Sequence, residues 1–283
     1  MAMSSVSHAK RRKRSATHKT RAVTERGDGL VAFLDDTPSA RAVLTAALGI
    51  AQLLATEVQA LHVSEGNGPN RISTQVALDA GVDLQLRHGP VAETILASLE
   101  TPSIFGGVVG LRAFLGGARP AGSVALQVIS GASKPVVWVP PDAQLRASLP
   151  RRLLVPLDGS AAASSAFLGL EHRFPPDPDR EINVLLAFDG MTPTMLDHDP
   201  HGIEAWGREF VERHCPGGHR TFEGREGDPG NAVIEEAERT CSDLIILSFG
   251  GSIEVGHGAV VREVLTRSQI PVMLLPVGSN RAG

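Results

Sequence analysis

Glycines set closely before an apolar run can form an anion cradle, and such a stretch runs from Gly106 to Val139 (GGVVGLRAFLGGARPAGSVALQVISGASKPVVWV). Its loop carries Gly110, Gly116, Gly117 and Gly122, and Ser123 then opens a helical run with Val124, Leu126, Val128 and Ile129 as apolar residues. Glycine tolerates positive φ, and a helix N-terminus offers orphan N–H donors and positive dipole. The chemistry on offer is therefore the binding of a phosphate or a similar anion. A partial second copy stands near the C-terminus, where Gly250, Gly251, Gly256 and Gly258 precede another apolar run. Asp35 and Asp158 each follow a short apolar strand, and either also suits a turn or a helix cap.

Signatures of catalysis are absent. The sequence holds no G-x-S-x-G, no G-x-x-x-x-G-K-[ST] and no H-E-x-x-H, and no G-x-G-x-x-G follows the first strand. Lys134 is the only lysine outside the first 28 residues, and it opens a strand, so lysine-dependent phosphoryl transfer is hard to build. His62, inside an apolar strand, is expected to be a satisfied core histidine and not a base. Asp197, His198, Asp199 and His201 have metal-ligand chemistry, with His214, Cys215 and His219 further on, but no helix or strand spacing converges them. No metal site is expected. Cys215 and Cys241 are the only cysteines and form no CxxC, so no disulfide scaffold is implied.

These residues need a scaffold, and the chain is long enough for two domains, with 283 residues, 42% of them hydrophobic and 20% charged. Residues 1–28 are rich in Ser, Lys and Arg, carry eight basic side chains against Glu25 and Asp28, and lack apolar periodicity. They read as a disordered basic tail. Because the whole chain has a net charge of −4, the remainder is acidic and has no electrostatic reason to bind nucleic acid. There is no apolar run of about 18 residues and no signal-peptide h-region, so no membrane span is expected and the cytoplasm is the expected compartment.

Periodicity then supplies the elements. Leu30–Leu34 is a strand, and Thr37 and Pro38 suit the cap and first position of a helix whose apolar face is Val43, Leu44, Ala47, Ile50, Ala51 and Leu54. Glu57–Val63 is a second strand, Ile72–Ala80 a helix, Val82–Leu86 a third strand, and Gly89-Pro90 starts another helix on Val91, Ile95, Leu96 and Leu99. The glycine-rich stretch completes the unit. Apolar strands alternating with helices argue for a parallel α/β sheet.

The same pattern then recurs. RLLVPLDGS matches LVAFLDDT, EINVLLAF is its second strand, and Asp228-Pro229 is a cap and first helical residue; SDLIILSFGG and IPVMLLPV match SIFGGVVG and KPVVWVP. This is an internal duplication, with extra residues in Asp189–Gly207. It divides the chain into a tail (1–28), a first domain (29–140), a linker (141–150), a second domain (151–278) and a C-terminal tail (279–283).

On these motifs, over residues 29 to 278, the chain resembles the universal stress protein family in its tandem two-domain form. The carriers are Leu34-Asp35, Leu157-Asp158-Gly159-Ser160, the Leu61-His62-Val63 strand end, the glycine loop, and the closing strands after Pro135 and Pro271. The resemblance implies two Rossmann-like five-stranded parallel sheets in tandem, each of strand order 3-2-1-4-5. It also implies a ligand edge where strands one and four are neighbours. By the same resemblance Asp35 would contact adenine, Val63 would meet the base through its backbone, and Gly110, Gly122 and Ser123 would hold ribose and phosphates of ATP or another adenine nucleotide. Asp158, Gly250 and Gly258 are the second copy's counterparts. Both loops depart from the family pattern Gly-x2-Gly-x9-Gly-Ser/Thr. Ala113 replaces the second glycine of the first loop, which is one residue short, whereas the second loop is shorter still and has Ala259 in place of the hydroxyl residue.

The expected function is a stress-response protein that binds nucleotide in its first domain and acts on protein partners without catalysis. A weak ATP hydrolase and a nucleotide-independent interaction protein are the alternatives. Pro135 and Pro271 suit edge strands. In the family those edges pair between domains, which implies an intramolecular pseudo-dimer and leaves a further homodimer open.

Overall fold

The computed structural model describes residues 29–66, 70–111, 123–143, 145, 149–188, 200–250 and 257–277. The basic segment 1–28, Gly116, Gly117 and Gly122 of the first loop, Asp197 to Asp199, Gly251 and Gly256 and the tail 279–283 lie outside them.

The first half is β1 (Gly29–Phe33), α1 (Ala40–Leu53), β2 (Val58–Ser64), α2 (Arg71–Ala80), β3 (Leu84–His88), α3 (Val91–Leu99), β4 (Ile104–Gly110), α4 (Ser123–Gly131) and β5 (Val136–Val139). The second repeats the alternation with β6 (Arg152–Pro156), α5 (Ala161–Glu171), β7 (Glu181–Phe188), α6 (Pro200–His214), β8 (Arg220–Glu226), α7 (Pro229–Arg239), β9 (Leu244–Phe249), α8 (His257–Arg267) and β10 (Val272–Pro276).

Each half has the expected strand order, β3-β2-β1-β4-β5 and β8-β7-β6-β9-β10, but the two sheets are not separate. They fuse into one ten-stranded sheet of order β3-β2-β1-β4-β5-β10-β9-β6-β7-β8. The junction is antiparallel, with Val272 opposite Trp138, Met273 opposite Val137 and Leu274 opposite Val136, while the other ladders are parallel. The closing strands are therefore edges of their halves and the centre of the whole. Pro135 and Pro271 stand just before these strands, where a missing N–H costs nothing and each carbonyl still accepts, from Gly107 N and Ile245 N.

Alternation of apolar residues along the strands serves two helical layers. Leu30, Ala32 and Leu34 point to the side of the sheet that carries α1, α2, α5 and α6, and Val31 and Phe33 to the side that carries α3, α4, α7 and α8. Antiparallel pairing of β5 with β10 means that the carboxyl edges of the two halves open on opposite sides of the sheet.

Two local expectations shift. α1 begins at Ala40, after Ser39, because Thr37 and Pro38 form a turn in which the Thr37 hydroxyl bonds Asp35 instead of capping the helix. β3 begins at Leu84, because Gly81 takes a left-handed φ of 67° and Val82 N is used in closing α2 onto Ala77 O. The Asp228 cap and Pro229 at the first turn of α7 are found as expected.

Candidate functional site

β1 and β4 are neighbours, with Phe33 opposite Val109, so Asp35 and Gly110 reach the same carboxyl edge. Leu34 N donates to Leu61 O at 2.9 Å, which places Val63 beside them near the end of β2. From β1 the chain passes to α1 in one layer, and from β4 to α4 in the other. The sheet splits its connections there, and the resulting crevice is where open α/β sheets take ligands. The helix α4 has Ser123 as its first residue. Its first backbone N–H groups have no intrahelical acceptor. Gly110 is packed closely, since a Cβ there would stand 3.1 Å from Val43 Cγ2 on α1.

Asp35 is half-buried and accepts from Thr37 Oγ1 at 2.7 Å. Its neighbour Asp36 reaches across to the start of α2. There its Oδ1 accepts from Ile72 N at 2.7 Å and from Ser73 N at 3.0 Å. The backbone N–H of Ser73 is the main cause that holds the Asp36 carboxyl below its ordinary value, against a raising effect of burial and with help from Ile72 N and the His62 ring. Asp36 thus ties the loop bearing Asp35 to α2. The sequence held no signal for this, because Asn70 is a residue type suited to cap α2 and only the structure shows that its side chain makes no cap, which leaves the N-terminus in need of an acceptor.

His62 is a core histidine, only 8% exposed, and its Nδ1 lies 2.8 Å from Leu34 O. A carbonyl only accepts, so Nδ1 carries the proton and donates.

The corresponding edge of the second half is built differently. Asp158 is exposed, and its Oδ1 accepts from Ser160 N at 2.9 Å. Gly159 adopts φ 78°, and Ser160 Oγ caps α5 by accepting from Ala163 N at 3.1 Å. Aspartate, glycine and serine there make a turn and a cap. Gly250 follows β9, whereas Gly258 is buried in the first turn of α8 and so belongs to the helix rather than to a loop. The eight residues singled out in sequence therefore fall into two groups. Asp35, Val63, Gly110 and the start of α4 at Ser123 converge at one edge, Asp158, Gly250 and Gly258 lie at the opposite one, and Gly122 is outside the described residues.

Beside Asp158 the sequence missed an aromatic group on α6. Trp206 and Phe210 lie 5.5 Å apart, and each is 5.5 Å from Phe222 on β8. His214 stacks on Phe210 and bonds Ser164 Oγ at 3.0 Å. Among the described residues no group of three or more His, Cys, Asp or Glu could hold a metal ion. No helix among them is long and apolar enough to cross a membrane.

No family model matches the sequence, and no curated protein matches it either. Solved structures do match. A universal stress protein from Archaeoglobus fulgidus superposes over 89% of this chain and 100% of its own length, with 18% identity and a TM-score of 0.64. A functionally unknown protein from Pseudomonas aeruginosa superposes over 89% of this chain and 93% of its own, with 13% identity and a TM-score of 0.63. At these identities the likeness is one of fold.

Proposed function

We propose that the chain is a tandem universal stress protein, with domains at 29–140 and 151–278, whose first domain binds an adenine nucleotide at the crevice between β1 and β4 and which acts by binding rather than by catalysis. The observation that carries this reading is the divergence of α1 and α4 to opposite layers from adjacent strands, with Asp35 on one side of the gap and the α4 N-terminus on the other. Asp35 would accept from the base, Val63 would meet it through the backbone, and Gly110, Gly122 and Ser123 would line the phosphates. The second domain is a structural copy in this respect, because Asp158 is committed to its turn and Gly258 to a helix. A hydrolase would need a base near Asp35. His62 is buried among the strands, only 8% exposed, which argues against that role.

Calorimetry of the full chain with ATP and AMP tests the proposal. Binding should weaken by about tenfold or more in Asp35→Ala, which corresponds to about 1.4 kcal/mol, and should be unchanged in Asp158→Ala. No heat and no shift in melting temperature at about 1 mM nucleotide would sink it. Phosphate release that is lost in Asp35→Ala would favour the hydrolase.

A further inference from the structure

At the amino edge of the second half, where β6, β7 and β8 begin, lies a cavity of about 650 Å³, a volume suited to a small molecule. Arg152, Arg180, Arg220, Arg239 and His219 line it, against Asp179 and Glu181 as the only lining carboxylates among the described residues. Three of the arginines are fixed from behind, by Asp243, Glu171 and Glu236. Arg180 makes no ion pair with any described residue. It lies over the Phe174 ring, and the one hydrogen bond of its side chain runs from Nη1 to Pro175 O at 2.9 Å, so Nη2 has no partner among the described residues. The Arg220 side chain is 3% exposed, and its hydrogen bonds all leave from Nη2, to Glu171 and Pro216 O, so Nη1 is likewise unpartnered among the described residues. Burial lowers the readiness of Arg180 to stay charged, Asp177 and Glu171 act on it only at longer range, and Arg151 opposes them.

The duplication provides an internal control. Strand register equates Leu30 with Leu153, Val58 with Ile182 and Leu84 with Phe222. Gly29, Thr56, Gly81 and Val82 then stand in the first half where Arg152, Arg180, His219 and Arg220 stand in the second. The fold needs no basic residue at any of these positions, and the second half has one at all four.

We propose that this cavity is a binding site for a phosphate-bearing small molecule, held by the unpartnered guanidinium donors of Arg180 and Arg220 with His219 at its mouth. Guanidinium forks match phosphate oxygens, and charge-assisted bonds in a partly desolvated cavity are the strong kind. The site is independent of the nucleotide reading, since it lies in the other half and shares no residue with the Asp35 crevice.

The test is a titration of the isotope-labelled full chain with pyrophosphate, followed at backbone amides. Shifts at Glu181, Arg220 and Thr221 should saturate below about 1 mM, and Arg180→Gln should raise the dissociation constant by about tenfold or more, with Arg180→Lys in between. Asp35→Ala should leave these shifts unchanged. Because Arg180 also braces its own loop, His219→Glu is the second variant: this exposed position places a carboxylate at the mouth without touching the core, and saturable binding should be lost. Shifts that never saturate, or equal affinity in wild type, Arg180→Gln and His219→Glu, would overturn the proposal whatever the outcome at Asp35.

Discussion

Replacing Asp36 separates charge from hydrogen bonding at the clamp behind the candidate crevice. In Asp36→Ala the N–H groups of Ile72 and Ser73 lose their acceptor. Ile72 is exposed and its N–H can rehydrate, whereas Ser73 is fully buried. The loss of a cap costs about 1 kcal/mol, and an orphaned buried donor about 1 kcal/mol more. A total of about 2 kcal/mol in a chain of this size corresponds to a melting temperature lower by about 4 to 8 °C. Asp36→Asn keeps an acceptor oxygen and loses only the charge at the α2 N-terminus, about 0.5 to 1 kcal/mol. The sign of the pH dependence follows from the lowered carboxyl. The charge increment is present above the unfolded value of about 3.9 and is lost as pH falls through the lower folded value, so wild type and Asp36→Asn should converge in acid. Thermal and denaturant unfolding between about pH 7 and about pH 2.5 measures the gap. A gap that stays flat over this range, or an Ala variant within about 0.3 kcal/mol of wild type at neutral pH, would refute the reasoning.

Two further outcomes follow from the packing. β4 bulges at its start, where Gly29 and Leu30 pair with Ile104 and Gly106 and leave Phe105 over, and a Cβ at Gly106 would press on the backbone carbonyl of Pro135. Gly106→Ala should therefore cost about 2 to 3 kcal/mol, whereas Gly66→Ala, with open space around its Cβ, should stay within about 0.5 kcal/mol on the same melting assay. Burial pushes the Cys215 thiol up to about 11, and Cys241 is exposed, so a thiol reagent near pH 8 should label Cys241 alone in the native chain and both after unfolding.

Much of the scaffold was legible because apolar strands and helical faces repeat in order, and each copy supports the reading of the other. The pairing of the closing strands was expected from the family resemblance alone, not from the residues themselves. A strand such as Val136–Val139 is apolar on both faces whether its free side is covered by the other half of the chain or by a second molecule. Boundaries slipped where side chains chose turns over caps, as Thr37 did with Asp35, and where a helix closure consumed Val82. Asp158 looked equivalent to Asp35 in sequence. The backbone separates them, because two residues stand between Asp158 and α5 and make a compact turn, while four stand between Asp35 and α1 and leave room for Asp36 to reach α2. The basic amino edge escaped notice altogether, since Arg152, Arg180, His219 and Arg220 are scattered in sequence and only the register of β6, β7 and β8 gathers them.

The junction explains how the two halves can differ in chemistry while sharing one continuous sheet. All four residues of β5 are buried, and Trp138 and Met273 are fully so. Either half alone would present an unpaired apolar strand to water, the exposed edge that invites aggregation. Covering it ties the halves at their centre and leaves their outer strands and loop edges unconstrained by one another. The antiparallel sense of that pairing also turns the second half around. Its basic amino edge lies along the same side of the sheet as the carboxyl edge bearing Asp35, and its own carboxyl edge faces away. The two proposed anion sites therefore share one side of the molecule although they come from opposite ends of their strands, and a comparison of the copies by sequence alone, carboxyl edge against carboxyl edge, passes over the second.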